Sequence, residues 1–140
     1  MSFRRLLFLS LLTALVAVPF LSAQNTEETP KIVITGIPHA GQGGPGPTEE
    51  ISGTAAGPNL RDLRVVIYAY AGGQWWVQPT VAAPMTSIDG ASGKWDTDTH
   101  LGRNYAALLV RKSYKPAATA DSLPAVGGDV LAIDTVAGKR

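Results

Sequence analysis

Apolar residues in this chain fall into short runs that are separated by glycine, proline and asparagine. Most runs are rich in valine, isoleucine, tyrosine and tryptophan, the residues that favour extended strands. Beyond the N-terminal segment, no window of about 11 residues shows the apolar period of an amphipathic helix. The predicted strands cover residues 31–37, 49–55, 63–70, 74–78, 85–88, 94–99, 105–112 and 129–136.

Short strands that alternate with turns are typical of an antiparallel β-protein. We predict an all-β fold, an antiparallel two-sheet immunoglobulin-like sandwich of about 7–8 strands that is preceded by a signal-peptide helix. Unlike antibody domains, the chain has no cysteine pair to join its sheets. A small closed barrel is the alternative architecture.

The most informative stretch is residues 64–78, where two apolar runs flank the pair Gly72-Gly73. A glycine pair between two such runs predicts a β-hairpin with a two-residue turn. Residues that pair across a hairpin share a face of the sheet. The predicted pairs are Ala71 with Gln74, Tyr70 with Trp75, Ala69 with Trp76, and Tyr68 with Val77.

This register divides the hairpin into two faces of different character. One face, which we expect to be core, holds Val65, Ile67, Ala69 and Trp76. The other face holds Arg64, Val66, Tyr68, Tyr70, Trp75 and Val77. If exposed, Tyr68, Tyr70 and Trp75 form a flat aromatic platform, because rings give large contact areas at little cost in side-chain entropy. The alternative is that a loop or the other sheet half-buries them.

The N-terminal segment has the pattern of an export signal. Arg4 and Arg5 precede an apolar run at residues 6–18, which is too short to span a bilayer comfortably, and Ala23 offers the small residue of a cleavage site. We expect residues 1–23 to be a signal peptide, with an uncleaved anchor as the alternative. The remaining regions are a flexible N-terminus at 24–30, the β-sandwich domain at 31–136 and a frayed tail at 137–140.

Composition excludes several classes of function. Without Arg4 and Arg5, the 12 basic residues fall to 10 against 11 acidic ones, so the basic character of the chain lies in its export segment. No basic surface is then left to bind nucleic acid, and we expect no membrane contact once the segment is removed. The absence of cysteine excludes thiol catalysis and thiolate metal sites. We predict no cofactor.

The sequence contains two histidines, which lie in different settings. Asp96, Asp98 and His100 alternate along one predicted strand, so all three project from one side and form a weak candidate for a divalent metal site. An ordinary solvated sheet face explains the same pattern. His39 lies in the glycine-rich stretch 39–47, where an exposed loop histidine is the simplest interpretation. No nucleophile motif or carboxylate pair is present, so we predict that the protein is not an enzyme.

Several segments together resemble a known kind of module. They are IVITGIP, ISG, LRVVIYAYAGGQWWVQP, AAPMTSIDGASGKW, NYAALLV and LP, and they extend over about residues 31–134. The chain resembles a small secreted bacterial immunoglobulin-like β-sandwich module, found alone or beside extracellular enzymes such as glycoside hydrolases. This resemblance implies a carbohydrate-binding or scaffolding role in the periplasm, at the cell surface or outside the cell.

The sequence therefore predicts a secreted, non-catalytic binding module with a polysaccharide as its partner. The predicted contact residues are Tyr68, Tyr70 and Trp75, on the aromatic face of the hairpin. The alternative is a cell-surface structural or protein-interaction module for adhesion, with a cell-surface protein as its partner.

Overall fold

The computed structural model describes residues 17–19 and 26–140. These residues form eight β-strands and one short 3-10 turn at Leu60–Asp62. The strands are β1 (Lys31–Gly36), β2 (Thr48–Ala56), β3 (Leu63–Ala71), β4 (Gln74–Gln78), β5 (Lys94–His100), β6 (Asn104–Arg111), β7 (Thr119–Ala120) and β8 (Val130–Ala137). The described part of the chain contains no helix long and apolar enough to cross a membrane. The predicted signal-peptide helix and its cleavage site lie outside the described residues.

The strands form two antiparallel sheets, which confirms the predicted sandwich. One sheet has the order β1-β2-β5, and the other has the order β7-β4-β3-β6-β8. The chain crosses between the sheets from β2 to β3, from β4 to β5 and from β5 to β6, so consecutive strands are not always neighbours. Crossings of this kind are the Greek-key links of an immunoglobulin-like sandwich.

The main core lies between the two sheets, where the strands bring together isoleucine, valine, leucine and aromatic side chains. Its fully buried members include Ile51, Val65, Ile67, Tyr105 and Leu109. Trp95 on β5 fills the space above Gly53, where an added Cβ would lie only 2.5 Å from the indole ring. Trp95 is 2% exposed, as expected for a core tryptophan.

A second apolar cluster covers the outer face of the five-stranded sheet. Its buried members are Val66, Tyr68, Val77, Ala106, Leu108, Val110 and Val130. The segment between β6 and β8 lies over them, with Tyr114 and Leu123 packed against the cluster. Because this sheet is apolar on both faces, β3 and β6 consist almost entirely of hydrophobic residues.

Residues 85–88 do not form the strand that the sequence predicts there. Thr86 instead makes an isolated bridge to Val65, with N–H···O distances of 2.8 and 2.9 Å in the two directions. The expected partner strand, β5, pairs with β2 throughout its length. The turn before β5 is present, since Asp89 and Lys94 are joined by a backbone hydrogen bond of 2.9 Å.

The C-terminal residues are also more ordered than predicted. The backbone N–H of Lys139 donates to Pro38, and its carbonyl accepts from Ala40 at 2.8 Å. Gly138 donates to Arg103. The prediction of a frayed tail is therefore wrong for these two residues, because the segment after β8 pairs with the loop after β1.

Candidate binding surfaces at the end of the β3–β4 hairpin

The hairpin has the predicted register. Gly72 and Gly73 have φ angles of 61° and 82°, which is the left-handed pair that a type I′ turn requires. Tyr70 pairs with Trp75, and Ala69 pairs with Trp76. The two adjacent tryptophans consequently lie on opposite faces of the five-stranded sheet.

On the outer face, one row of residues crosses all five strands. We call it the outer row; its members, in order from β7 to β8, are Ala120, Trp75, Tyr70, Asn104 and Ala137. The two rings are tilted by 56°, with centroids 5.1 Å apart. Both rings are partly exposed, and a small alanine lies at either end of the row.

One polar side chain of the outer row lies beside the aromatic pair. Asn104 is exposed beside Tyr70. Gln74, the residue before Trp75, projects from the opposite face, where its Nε2 donates to Asp121 Oδ1 at 3.2 Å. The amide of Asn104 beside two aromatic rings provides both donors and an acceptor for a hydroxylated ligand.

Tyr68 is on the same face as Tyr70 and Trp75, but it is not available to a ligand from solution. Its side chain is 2% exposed, and its hydroxyl donates to the carbonyl of Ala117 at 2.7 Å. Burial raises the pKa of Tyr68 to about 12, and Tyr114 adds to the rise. The segment between β6 and β8 therefore leaves only Tyr70 and Trp75 of the predicted platform accessible.

Trp76 is exposed on the inner face, so the prediction that it belongs to the core is wrong. Its side chain is 46% exposed, although its partner Ala69 is buried. The indole Nε1 donates to the carbonyl of Ala71 at 2.9 Å, which fixes the edge of the ring. The opposing sheet ends at β5, so it covers Gln78 but does not extend over Trp76.

Beside Trp76, the open edge between the sheets forms a cleft of about 360 Å³. We call it the Trp76 cleft. Its walls come from the ends of β3 and β4, the segment after β4, the turn after β5 and the glycine-rich loop. The lining residues are Gly43, Gly44, Pro45, Ala69, Ala71, Trp76, Val77, Gln78, Pro79, Thr80, Val81, His100 and Leu101.

The glycine-rich loop at residues 39–47 has a structural role as one wall of this cleft. At Gly43, with φ +82°, an added Cβ would approach the Cβ of Ala71 to 2.5 Å. At Gly41 an added Cβ would meet the side chain of Leu101 at 2.4 Å. The missing side chains allow the loop to pack directly on the hairpin, a role that its composition alone did not reveal.

Gln78 links the two sheets at the base of the cleft. Its Oε1 accepts from the backbone N–H of His100 at 2.9 Å and lies 3.1 Å from Nδ1 of the same residue. The backbone N–H of His100 fixes the orientation of the Gln78 amide, because the flipped amide would place its NH₂ group against that N–H. Since Oε1 can only accept, Nδ1 carries a proton, and in the neutral ring Nε2 is an acceptor.

The candidate metal ligands do not assemble into a metal site. Asp96 and Asp98 project from the exposed side of β5, while the ring of His100 turns to Gln78. Across residues 17–19 and 26–140, no three histidine or acidic side chains are grouped as metal ligands would be.

His39 has a partner that lies ten residues away in the sequence. Its Nδ1 is 3.1 Å from Glu49 Oε1, and its backbone N–H donates to Oε2 at 2.8 Å. The pKa of Glu49 is lowered mainly by this backbone hydrogen bond, and the His39 side chain lowers it further. Both side chains are solvent-accessible, and their contact ties the loop after β1 to the start of β2.

Comparison with protein-family models finds no match to this chain. Comparison with curated proteins finds none either. The features that bear on function are therefore the two surfaces at the end of the hairpin.

Proposed function

We propose that this protein is a secreted, non-catalytic binding module that takes a polysaccharide on the outer row. Export is supported by the charged and apolar pattern of residues 1–23. The observation that carries the choice of ligand is the partly exposed pair Tyr70 and Trp75, which lies beside the exposed amide of Asn104 at the end of the sheet.

The chemistry of the outer row suits a pyranose ring. One side of such a ring is rich in C–H bonds and stacks on an indole or phenol, whereas its edge carries hydroxyl groups that both donate and accept. Trp75 and Tyr70 provide rigid rings with few rotatable bonds. The exposed Asn104, which pairs with Tyr70 in the same row, lies where hydroxyl groups at the ring edge need partners.

The same surface favours binding over hydrolysis. Glycoside hydrolysis uses two carboxylates placed on either side of the scissile bond. Among the described residues, the outer row contains no carboxylate. Such a row can hold a sugar through its rings and its amide but lacks the acid and base pair for cleavage.

Two binding experiments test this proposal. Affinity electrophoresis uses gels that contain xylan, galactomannan, mixed-linkage β-glucan or pullulan. Pull-down uses the insoluble polysaccharides cellulose and chitin. We expect at least one polysaccharide to retain the protein. Trp75→Ala should weaken retention about thirtyfold or more, the scale of a binding hot spot. Tyr70→Ala should weaken retention in the same direction.

Trp76→Ala is the matched control, because it removes the neighbouring tryptophan from the opposite face of the sheet. This variant should be retained as strongly as the unmodified protein. Near-ultraviolet circular dichroism confirms that each variant is folded. Failure of every polysaccharide to retain the protein, or full retention of folded Trp75→Ala, contradicts the proposal.

A further inference from the structure

The Trp76 cleft has the dimensions and chemistry of a second, independent site. We propose that it binds a compact, uncharged, mainly apolar ring molecule that carries one hydrogen-bond donor. The inference does not depend on the polysaccharide proposal, because the cleft and the outer row lie on opposite faces of the sheet.

The size of the cleft indicates a small molecule. Its volume of about 360 Å³ lies at the lower end of the range of about 300–1,000 Å³ for ligand sites. One ring or two small rings fill such a space. A stable protein partner would instead need a contact of about 800 Å² on each side.

The walls of the cleft favour an apolar and uncharged occupant. Trp76, Pro45, Val81 and Leu101 contribute apolar surface, and no lysine, arginine, aspartate or glutamate is among the described residues that line it. A charged group would lose its hydration there without gaining a partner of opposite charge. A sugar would leave several hydroxyl groups against apolar walls, which distinguishes this site from the outer row.

Two fixed groups would orient the ligand. The hydrogen bond from Trp76 Nε1 to Ala71 holds the indole in place, so one flat face is available for stacking. Gln78 occupies the Nδ1 side of His100, which leaves Nε2 as the acceptor that this ring can offer to a ligand. A donor on the ligand would satisfy Nε2, whereas a ligand without a donor would bury it unpaired.

Titrations followed by NMR test the proposal with two probes of the same ring and different hydrogen-bonding capacity. p-Cresol carries a hydroxyl donor, and in 4-methylanisole a methyl group replaces the hydroxyl hydrogen. We expect p-cresol to shift the Trp76 Nε1–H signal saturably and to bind about tenfold more tightly than 4-methylanisole, which is the usual scale for one hydrogen bond.

Trp76→Ala should abolish saturable binding of p-cresol, as monitored by the amide signals of Ala71 and Leu101. Trp75→Ala, the matched control, should bind p-cresol with unchanged affinity. The proposal is overturned if p-cresol causes no saturable shift at its solubility limit or if folded Trp76→Ala binds it equally well. Equal affinity for both probes overturns the assignment of a donor-bearing ligand.

Discussion

Ala69 and Trp76 face each other directly across β3 and β4, yet Ala69 is 2% exposed and Trp76 is 46% exposed. Both side chains project toward the other sheet. Ala69 lies on a central strand, where the opposing sheet covers it. Trp76 lies on β4, beyond the edge formed by β5, so its ring extends over the open side of the sandwich.

This difference predicts that the tryptophans contribute unequally to stability. Trp95→Ala should lower the free energy of unfolding by about 3–5 kcal/mol, because it empties a buried site above Gly53. Trp76→Ala should cost about 1–2 kcal/mol, since it removes one hydrogen bond and a partly solvated ring. Urea unfolding of both variants provides the comparison, and equal losses would contradict the exposed position of Trp76.

The buried hydroxyl of Tyr68 predicts a pH dependence at alkaline pH. Its pKa is about 12 in the folded protein, against 10.0 for the free side chain. Between these values the unfolded chain has lost the proton while the folded chain keeps it. Unfolding then releases a proton, so the free energy of unfolding should fall as the pH rises from about 10 to 12.

The variant Tyr68→Phe tests whether the Tyr68 hydroxyl causes this loss of stability at alkaline pH. The variant should lose about 1 kcal/mol at neutral pH because the hydrogen bond to Ala117 is removed. Its stability should also decline less steeply above pH 10. Part of the decline should remain, since burial also raises the pKa of Tyr105 and Tyr114. An identical alkaline slope in urea titrations of the two proteins would exclude Tyr68 as a contributor.

The conformation of the hairpin turn predicts that the stability of the protein depends on which residue occupies position 72. Asparagine is common at this position of a type I′ turn, so Gly72→Asn should change stability by less than about 0.5 kcal/mol. A β-branched residue is strained at φ 61°, so Gly72→Val should cost about 1–3 kcal/mol. Thermal unfolding followed by circular dichroism measures both changes.

Gly46 supplies the control for this turn. It lies outside the left-handed region, and an added Cβ would meet open space. Gly46→Ala should therefore stabilise the protein by about 0.4–1 kcal/mol, because it restricts the unfolded chain. If Gly72→Val proves as harmless as Gly46→Ala, the conformation assigned to the turn is incorrect.

Asp134 on β8 joins the two sheets at the side of the sandwich where β1 approaches β8, so we expect its replacement to lower the free energy of unfolding. Its Oδ2 accepts from the backbone N–H of Ile34 at 2.8 Å. Asp134→Ala should cost about 1–3 kcal/mol, because it leaves that partly buried donor unpaired. Asp134→Asn keeps an oxygen acceptor and should cost less. Hydrogen exchange at the Ile34 amide should accelerate in the alanine variant; unchanged exchange would argue against the contact.

The sequence by itself determined seven of the eight strands, the turn and the pairing of the hairpin, because these depend on local preferences and on the two-residue alternation of side chains. It missed β7 and predicted a strand at 85–88 that does not form. Gly72-Gly73 was sufficient to place Trp75 and Trp76 on opposite faces.

Only the tertiary structure decided which faces reach solvent. Tyr68 is covered because the distant segment between β6 and β8 lies over the outer face and accepts its hydrogen bond. Trp76 is open because the opposing sheet has three strands and ends at β5. Exposure depends on the widths of the two sheets and the path of a remote segment, and neither is encoded in the local pattern of the hairpin.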